Sequence, residues 1–251
     1  YDAMRLYGLE PEQIMRAKRL KRNWKGYLEI HVEQGPILES ENMEIGIVNA
    51  IVAIERYYIT IYGKADHAGT QPMYNRSDAV MAGIEIVMKL KEYVLAHKDM
   101  VGTVGEIIVF PNEINTVPSK MRFSIDIRSA KEEELKDCIQ MIKRKLQKLK
   151  EEGFEWEMDA TLSLSHTDMK AEWITMLEES ANRLGFSNMR LQSGAGHDAA
   201  IVGKSVDTAM LFVPSVGGRS HIQEEYSKES DMAKAVLVTV DFLNNLGKKD
   251  K

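Results

Sequence analysis

His31 stands between two carboxylates in the stretch Tyr27-Leu28-Glu29-Ile30-His31-Val32-Glu33-Gln34-Gly35-Pro36. A histidine so flanked is basic and easily oriented, which suits a metal ligand. The same pattern also describes a solvated strand face carrying an idle histidine, and a single motif does not decide between them. Four further blocks carry chemistry of a similar kind: Asp66-His67-Ala68-Gly69-Thr70, Asn115-Thr116-Val117-Pro118, Ser193-Gly194-Ala195-Gly196-His197-Asp198 and Gly217-Gly218-Arg219-Ser220-His221. The small residues after His67 let the backbone turn and leave the imidazole exposed, where it can donate to an oxyanion; a turn histidine without a task reads the same way. Arg128 carries a planar fork that pairs bidentately with a carboxylate, and the amide of Asn115 offers both a donor and an acceptor. Taken alone, Arg128 is equally a surface arginine at a strand end. The small residues from Ser193 to Gly196 precede a helix start, where backbone N–H groups can cradle an anion. His221 follows a glycine pair in a loop after a buried strand, a common setting for site residues. His97 and His166 lack such surroundings and read as structural or solvated. The run Glu132-Glu133-Glu134 reads as favourable charge at a helix start.

These residues need elements to hold them. From Tyr27 to Glu33 apolar and polar residues alternate, the period of a half-buried strand, and Gln34-Gly35-Pro36 breaks it. His31 then lies near the carboxyl end of a strand, where ligands collect in open α/β sheets. Residues 1–26 read as helical and basic, with Pro11 near the start of a second helix, and Ile37 to Ser40 as a short helix. Between Val48 and Ser163 the periodicity runs strand, helix, strand, strand, helix, strand. The strands are expected over Ile51–Tyr62, Thr103–Phe110, Met121–Arg128 and from Phe154 through Ala160; the helices over Asp78–Tyr93 and Lys131–Glu152, the second stopped by Gly153. This is the ferredoxin-like βαββαβ order. Helix returns over Ala171–Leu184 and Ser230–Leu246, with a short apolar strand over Asp207–Val213. The simplest layout is one α/β domain made of residues 1–47 and 164–251, interrupted by a ferredoxin-like insertion at 48–163.

Bulk composition narrows the classes. The chain has 251 residues, of which 44% are hydrophobic and 28% charged, as in a water-soluble protein with a sizeable core. A net charge of -5 without a long basic run gives nucleic acid or an anionic membrane little to attract, so neither is expected as a partner. The lone Cys138 excludes an intrachain disulfide and reads as a reduced structural thiol. No apolar run is long enough to span a bilayer and no signal-peptide pattern opens the chain, so a cytoplasmic setting is expected. The chain opens at Tyr1-Asp2-Ala3-Met4, part-way into a helical pattern, which reads as a cut rather than a beginning.

In order along the chain, the His31, His67, Asn115, Gly196-His197 and His221 blocks resemble the amidase/hydantoinase/carbamoylase branch of the M20 metallohydrolases. That branch includes N-carbamoyl-L-amino acid hydrolases, allantoate amidohydrolases and β-ureidopropionases. The resemblance implies a partial M20-type α/β catalytic domain interrupted by a ferredoxin-like lid, through which two chains form a homodimer. It implies that His31 and His221 are metal ligands in a centre of two divalent ions, usually zinc, with manganese or nickel in some members. A histidine at position 31, where M20 peptidases carry a carboxylate, favours the carbamoylase branch over an aminoacylase or peptidase. His67 would stabilise the oxyanion, commonly in the partner subunit's site. Asn115, Arg128, Gly196 and His197 would hold a small carboxylate substrate, with Gln34 as a further contact. Two departures fall on loops: Ser119 where glycine is usual, and Gln223 where proline is common. A larger one is the lack of the family's His-x-Asp motif, bridging aspartate and Glu-Glu pair, which carry further ligands and the general base. The chain therefore reads as the C-terminal part of such an enzyme, with an incomplete metal site and no activity expected alone. A non-catalytic dimerisation module is the alternative of another class.

Overall fold

The computed structural model describes residues 1–18 and 24–249. Only part of the expected N-terminal helical region forms as α-helix. α1 spans Asp2–Leu6, and Pro11–Ala17 winds as a 3-10 helix whose one buried residue is Pro11. Its apolar residues Leu6, Tyr7, Leu9, Ile14 and Met15 stay exposed, so this segment lacks the packing that stabilises most helices. Residues 19–23, also within that expectation, lie outside the described residues.

β1 (Tyr27–Val32) ends where expected, and α2 (Ile37–Ser40) follows. The N–H groups of Ile37 and Leu38 donate to the Glu33 carboxylate at 2.8 and 2.9 Å, satisfying free donors at the start of α2. β2 (Ile45–Ile51) is buried at every position except Asn49, and the chain then crosses at Val52 into β3 (Ala53–Tyr62). The crossing read from sequence, between residues 47 and 48, falls inside β2. A strand buried on both faces is a continuous apolar run, with no alternation to mark where it belongs.

β4 (Asp66–His67), α3 (Ala79–Leu95), β5 (Met100–Thr103), β6 (Ile107–Phe110), β7 (Thr116–Val117), β8 (Lys120–Ser129), α4 (Glu132–Glu151) and β9 (Glu155–Leu164) come next. The strand expected over Thr103–Phe110 is thus two strands. Between them Glu106 turns to β8, donating its N–H to Ser124 Oγ and accepting the Ser124 N–H, each at 3.0 Å. The sheet order is β9-β3-β8, with β5 and β6 both on the far edge of β8. That is the ferredoxin-like arrangement, with its outer strands brought in beside the first and third. Met121, Phe123, Ile125 and Ile127 of β8 are buried, as their alternation requires, and pack with Ile142 and Leu146 of α4 and Ile86 of α3. Cys138 lies in this core, and burial pushes its thiol up to about 12. β4 and β7 form a separate two-stranded ribbon.

The first sheet is completed by β10 (Thr167–Asp168), α5 (Ala171–Arg183), β11 (Asn188–Ser193), α6 (Asp198–Val202) and β12 (Thr208–Val213), and α7 (Glu229–Lys249) closes the described chain. β1 runs parallel to β12 and β12 antiparallel to β2; β2 pairs along its other edge with β11, and at Ala50 and Ile51, on the β12 edge, with the short β10. α5 and α7 pack together over this sheet, with Trp173 edge-on to Phe242 at 5.6 Å. Trp173 also explains Gly26, where an added Cβ would stand 2.0 Å from the indole. The molecule is a mixed α/β fold with two apolar cores, one per large sheet. Among the described residues no helix is long and apolar enough to cross a membrane.

Candidate active site

His31 sits next to last in β1, in register with Phe212 of β12. Its Nδ1 donates to the Val32 carbonyl at 2.8 Å. A carbonyl can only accept, so this bond places the proton on Nδ1 and leaves the Nε2 lone pair free. Glu29, two residues back on the same strand face, and His197, at the start of α6, close around it. One ligand atom from each of Glu29, His31 and His197 lies within 4.8 Å of the others. The two imidazoles meet edge to face at 4.6 Å.

The His197 side chain is 1% exposed and its Nδ1 is 3.8 Å from Glu29 Oε1. Burial first, and then the neighbouring His31, push its pKa down to about 4, so the ring is neutral at ordinary pH. The expected anion cradle before α6 is occupied from within. The Ala199 N–H donates to Glu29 Oε2 at 2.8 Å, and the Ala195 N–H to Ser193 Oγ at 3.1 Å. Gly196 faces the second sheet, where a Cβ would stand 3.3 Å from Leu164.

A cleft of about 350 Å³ opens beside this cluster, lined among others by Gln34, Arg128, Gly194, Ala195, Ser220 and His221. Gln34 and His221 both hold left-handed backbone, at φ 59° and 60°. Such angles cost non-glycine residues energy and persist where the surroundings impose them, often at functional sites. Gln34 Nε2 donates to Ser220 Oγ at 2.9 Å and lies 3.3 Å from His221 Nε2. The His221 N–H donates to Glu225 Oε2 at 2.9 Å. The glycine pair ahead of His221 has a steric reason: Gly218 is at φ +62°, and a Cβ there would stand 2.7 Å from Pro36.

Arg128 reaches the cleft from the second sheet. Its Nε and Nη2 grip the two carboxylate oxygens of Asp126 at 2.7 and 2.9 Å, while Nη1 donates to the Gly194 carbonyl at 2.7 Å. Arg56 holds the same carboxylate through Nη2 at 2.6 Å. Burial would raise the Asp126 pKa, but the hydrogen bonds from Arg128 and Arg56 outweigh it and hold the carboxyl below its usual range. The bond to Asp126 correspondingly raises the Arg128 pKa.

His67 and Asn115 form another group, on the β4–β7 ribbon. The Ala68 N–H donates to the Asn115 carbonyl at 2.9 Å. The Gly69 N–H donates to His67 Nδ1 at 3.0 Å, which places the ring proton on the exposed Nε2. Neither residue lines the cleft beside His221. The structure thus brings His31 to Glu29 and His197, brings Gln34, Arg128 and His221 to one cleft, and leaves His67 with Asn115 elsewhere. His31 and His221, paired in the sequence reading, do not share the His31 cluster among the described residues. Glu29 and Asp126 were visible as the same-face neighbours of His31 and Arg128 on alternating strands. Arg56 and Ser193 gave no such signal, because their roles depend on strand register and on the loop before α6.

Residues 7–245 match the model of peptidase family M20/M25/M40. The N-carbamoyl-L-amino-acid amidohydrolase of Paenarthrobacter aurescens is 34% identical over 247 residues, covering 98% of this chain and 60% of that protein. The allantoate amidohydrolase of Escherichia coli K12 is 35% identical over 228 residues, 90% of this chain and 56% of that one. The crystal structure of an amidase of the hydantoinase/carbamoylase family from Burkholderia phymatum superposes with a TM-score of 0.80 at 27% identity, covering 93% of this chain and 57% of that chain. The chain therefore spans less than two thirds of these relatives, over their C-terminal portions. With nearly its whole length matched and its fold shared, the chain belongs to peptidase family M20/M25/M40.

Proposed function

We propose that this chain is the C-terminal part of an amidohydrolase that cleaves a linear C–N amide bond in a small N-carbamoyl or ureido carboxylate. The observation that supports this most is the shared cleft: Arg128 from the second sheet, and Gln34 and His221 from loops beside the first, line one cavity. A fixed guanidinium beside polar amide and imidazole groups suits a small, carboxylate-bearing, hydrogen-bonding substrate. In this reading Arg128 binds the carboxylate through the edge now held by the Gly194 carbonyl, with Asn115, Gly196 and His197 as further contacts. His67 donates its Nε2 proton to the oxyanion of the tetrahedral intermediate, reaching from one copy into the site of the other in a lid-mediated homodimer.

In the complete enzyme, His31 and His221 would hold part of a centre of divalent ions, zinc or else manganese or nickel, whose chemistry would be to activate a water. The free Nε2 of His31 fits that role. His221 Nε2 faces Gln34 instead, and the general base is not among this chain's site residues, so the chain alone is expected to be inactive. The test is a panel of N-carbamoyl-L-amino acids, allantoate, N-acyl amino acids and dipeptides, run on the full-length protein with each metal. The carbamoyl and ureido compounds should lead by at least about tenfold in kcat/KM. A lead for dipeptides or N-acyl amino acids would replace this reading with a peptidase or aminoacylase.

A further inference from the structure

We propose that a cavity beside the cleft, on the open face of the second sheet, is the pocket for the substrate's side chain, and that Arg56 there selects a side chain ending in a carboxylate. This rests on the amidohydrolase reading and narrows its substrates to N-carbamoyl acidic amino acids. Position comes first. The helices α3 and α4 cover one face of the second sheet over Phe123, Ile125 and Ile127. Ser124, Asp126 and Arg128 alternate with those residues on β8 and so line the other face. A cavity of about 480 Å³ opens there and shares Arg128 and Gly194 with the cleft that Gln34 and His221 line. The bond from Arg128 Nη1 to the Gly194 carbonyl, at 2.7 Å, therefore lies where the two spaces meet. A substrate carboxylate that takes Nη1 from that carbonyl has the cleft on one side and the cavity on the other.

Charge decides what the cavity takes. Its charged lining is Arg56, Arg128 and Asp126. Arg56 stands opposite Asp126 in the β3–β8 register and puts both Nε and Nη2 on Oδ2, at 3.0 and 2.6 Å. Arg128 holds the same carboxylate, with its Nη2 also on Oδ2 at 2.9 Å. One carboxylate thus serves two guanidiniums, and a positive charge is left over. Arg56 Nη1 has no hydrogen-bond partner among the described residues, and the side chain is 43% exposed, so this donor is open to a ligand. The neighbouring charges cancel. Arg122 pairs with Glu106 at 3.0 Å and lies 3.6 Å over the ring of Tyr58, whose hydroxyl donates to the same carboxylate at 3.2 Å. A neutral side chain leaves the surplus charge unmatched, whereas an anionic one gains a charge-assisted bond from Nη1. Because both arginines bond one oxygen they stand side by side, as do the two carboxylates of an N-carbamoyl-aspartate or -glutamate.

The test compares N-carbamoyl-L-glutamate with N-carbamoyl-L-glutamine, which has the same shape without the charge. The wild-type full-length protein should favour the glutamate compound by about tenfold in kcat/KM. Arg56→Met should bring that ratio to within about twofold of one, and Arg56→Lys, which keeps the charge, should preserve part of it. A wild-type ratio near one overturns the proposal. So does an Arg56→Met loss shared equally by both compounds, because a residue that only braces Asp126 would impair both alike. Binding to this chain, which carries every residue named, separates the pocket from the reaction and needs no variant. In ¹⁵N spectra of the wild-type guanidiniums, N-carbamoyl-L-glutamate must move the signals of Arg56 and Arg128, and the glutamine compound those of Arg128 alone. An Arg56 signal unmoved by the glutamate compound refutes the pocket even where carbamoyl compounds are hydrolysed. Both signals moving, with no carbamoyl or ureido compound turned over by the full-length protein, would uphold the pocket and remove the amidohydrolase reading.

Discussion

Arg128 has two of its nitrogens on Asp126 and a third on the Gly194 carbonyl, so a substrate carboxylate has to win the Nη1 edge from that oxygen. Arg128→Lys keeps the charge and removes the fork, and in the full-length protein should cost roughly 1.5–3 kcal/mol, about ten- to a hundredfold in kcat/KM. A substrate analogue with a neutral amide in place of the carboxylate should lose a similar factor in wild type and little more in the variant. If the two losses multiply in full, Arg128 does not hold the carboxylate. Asp126 makes a separate, pH-linked prediction. Its folded pKa is depressed by the two arginines, so the ionised form stabilises the fold above the ordinary carboxylate range, and that contribution is lost as pH falls through the depressed value. Urea unfolding should therefore show Asp126→Asn less stable than wild type at neutral pH, with the gap closing in acid; a gap that ignores pH would mean a steric cause. At this scale the sequence revealed residues whose neighbours along the chain already explain them. His31 announces itself on an alternating strand and His221 after a glycine pair. The turning of His197 onto Glu29 depends on how the loop before α6 meets β1, and no local pattern encodes that.

Among the elements, α3 has the clearest start signal. Asp78 Oδ1 accepts the N–H groups of Val80 and Met81 at 3.0 and 3.1 Å, satisfying donors that the first helical turn leaves free. Asp78→Ala should cost about 1 kcal/mol, read as a lower urea midpoint at unchanged slope. A changed slope would show instead that more than the cap was lost. The same kind of local signal made α3, α4 and β8 legible from sequence: each has one apolar stripe at its own period, facing the core of the second sheet. Legibility failed where burial is two-sided or slight. β2 carries apolar residues on both faces and so did not show which sheet it joins. β11 presents only Leu191 and Ser193 as buried positions between exposed or half-buried ones, too little apolar pattern to mark a strand. The break between β5 and β6 comes from a cross-strand bond to Ser124, a partner invisible to a local window.

Across the whole molecule, the groups assigned to one reaction stand on separate bodies of structure. His31 and its partners belong to the first sheet, Arg128 bridges from the second, and His67 with Asn115 rides on the β4–β7 ribbon, outside the cleft that Arg128 and His221 line. A homodimer offers a way to unite them, each copy lending its ribbon to the other's cleft, as two-fold symmetry permits. The consequence is sharp enough to test by mixing. Full-length His67→Ala and His31→Ala proteins should each be inactive alone. If His67 serves the partner's site, a heterodimer of the two has one wholly defective site and one intact site, built from His31 of the first variant and His67 of the second. Random exchange makes half of the dimers mixed, so about one quarter of wild-type activity should return. If His67 instead serves its own chain, both sites of every heterodimer lack a residue and nothing returns. Sedimentation of the mixture supplies the control: heterodimers without activity would place His67 in its own chain's site, and a monomer at high micromolar concentration would remove the shared-site reading altogether.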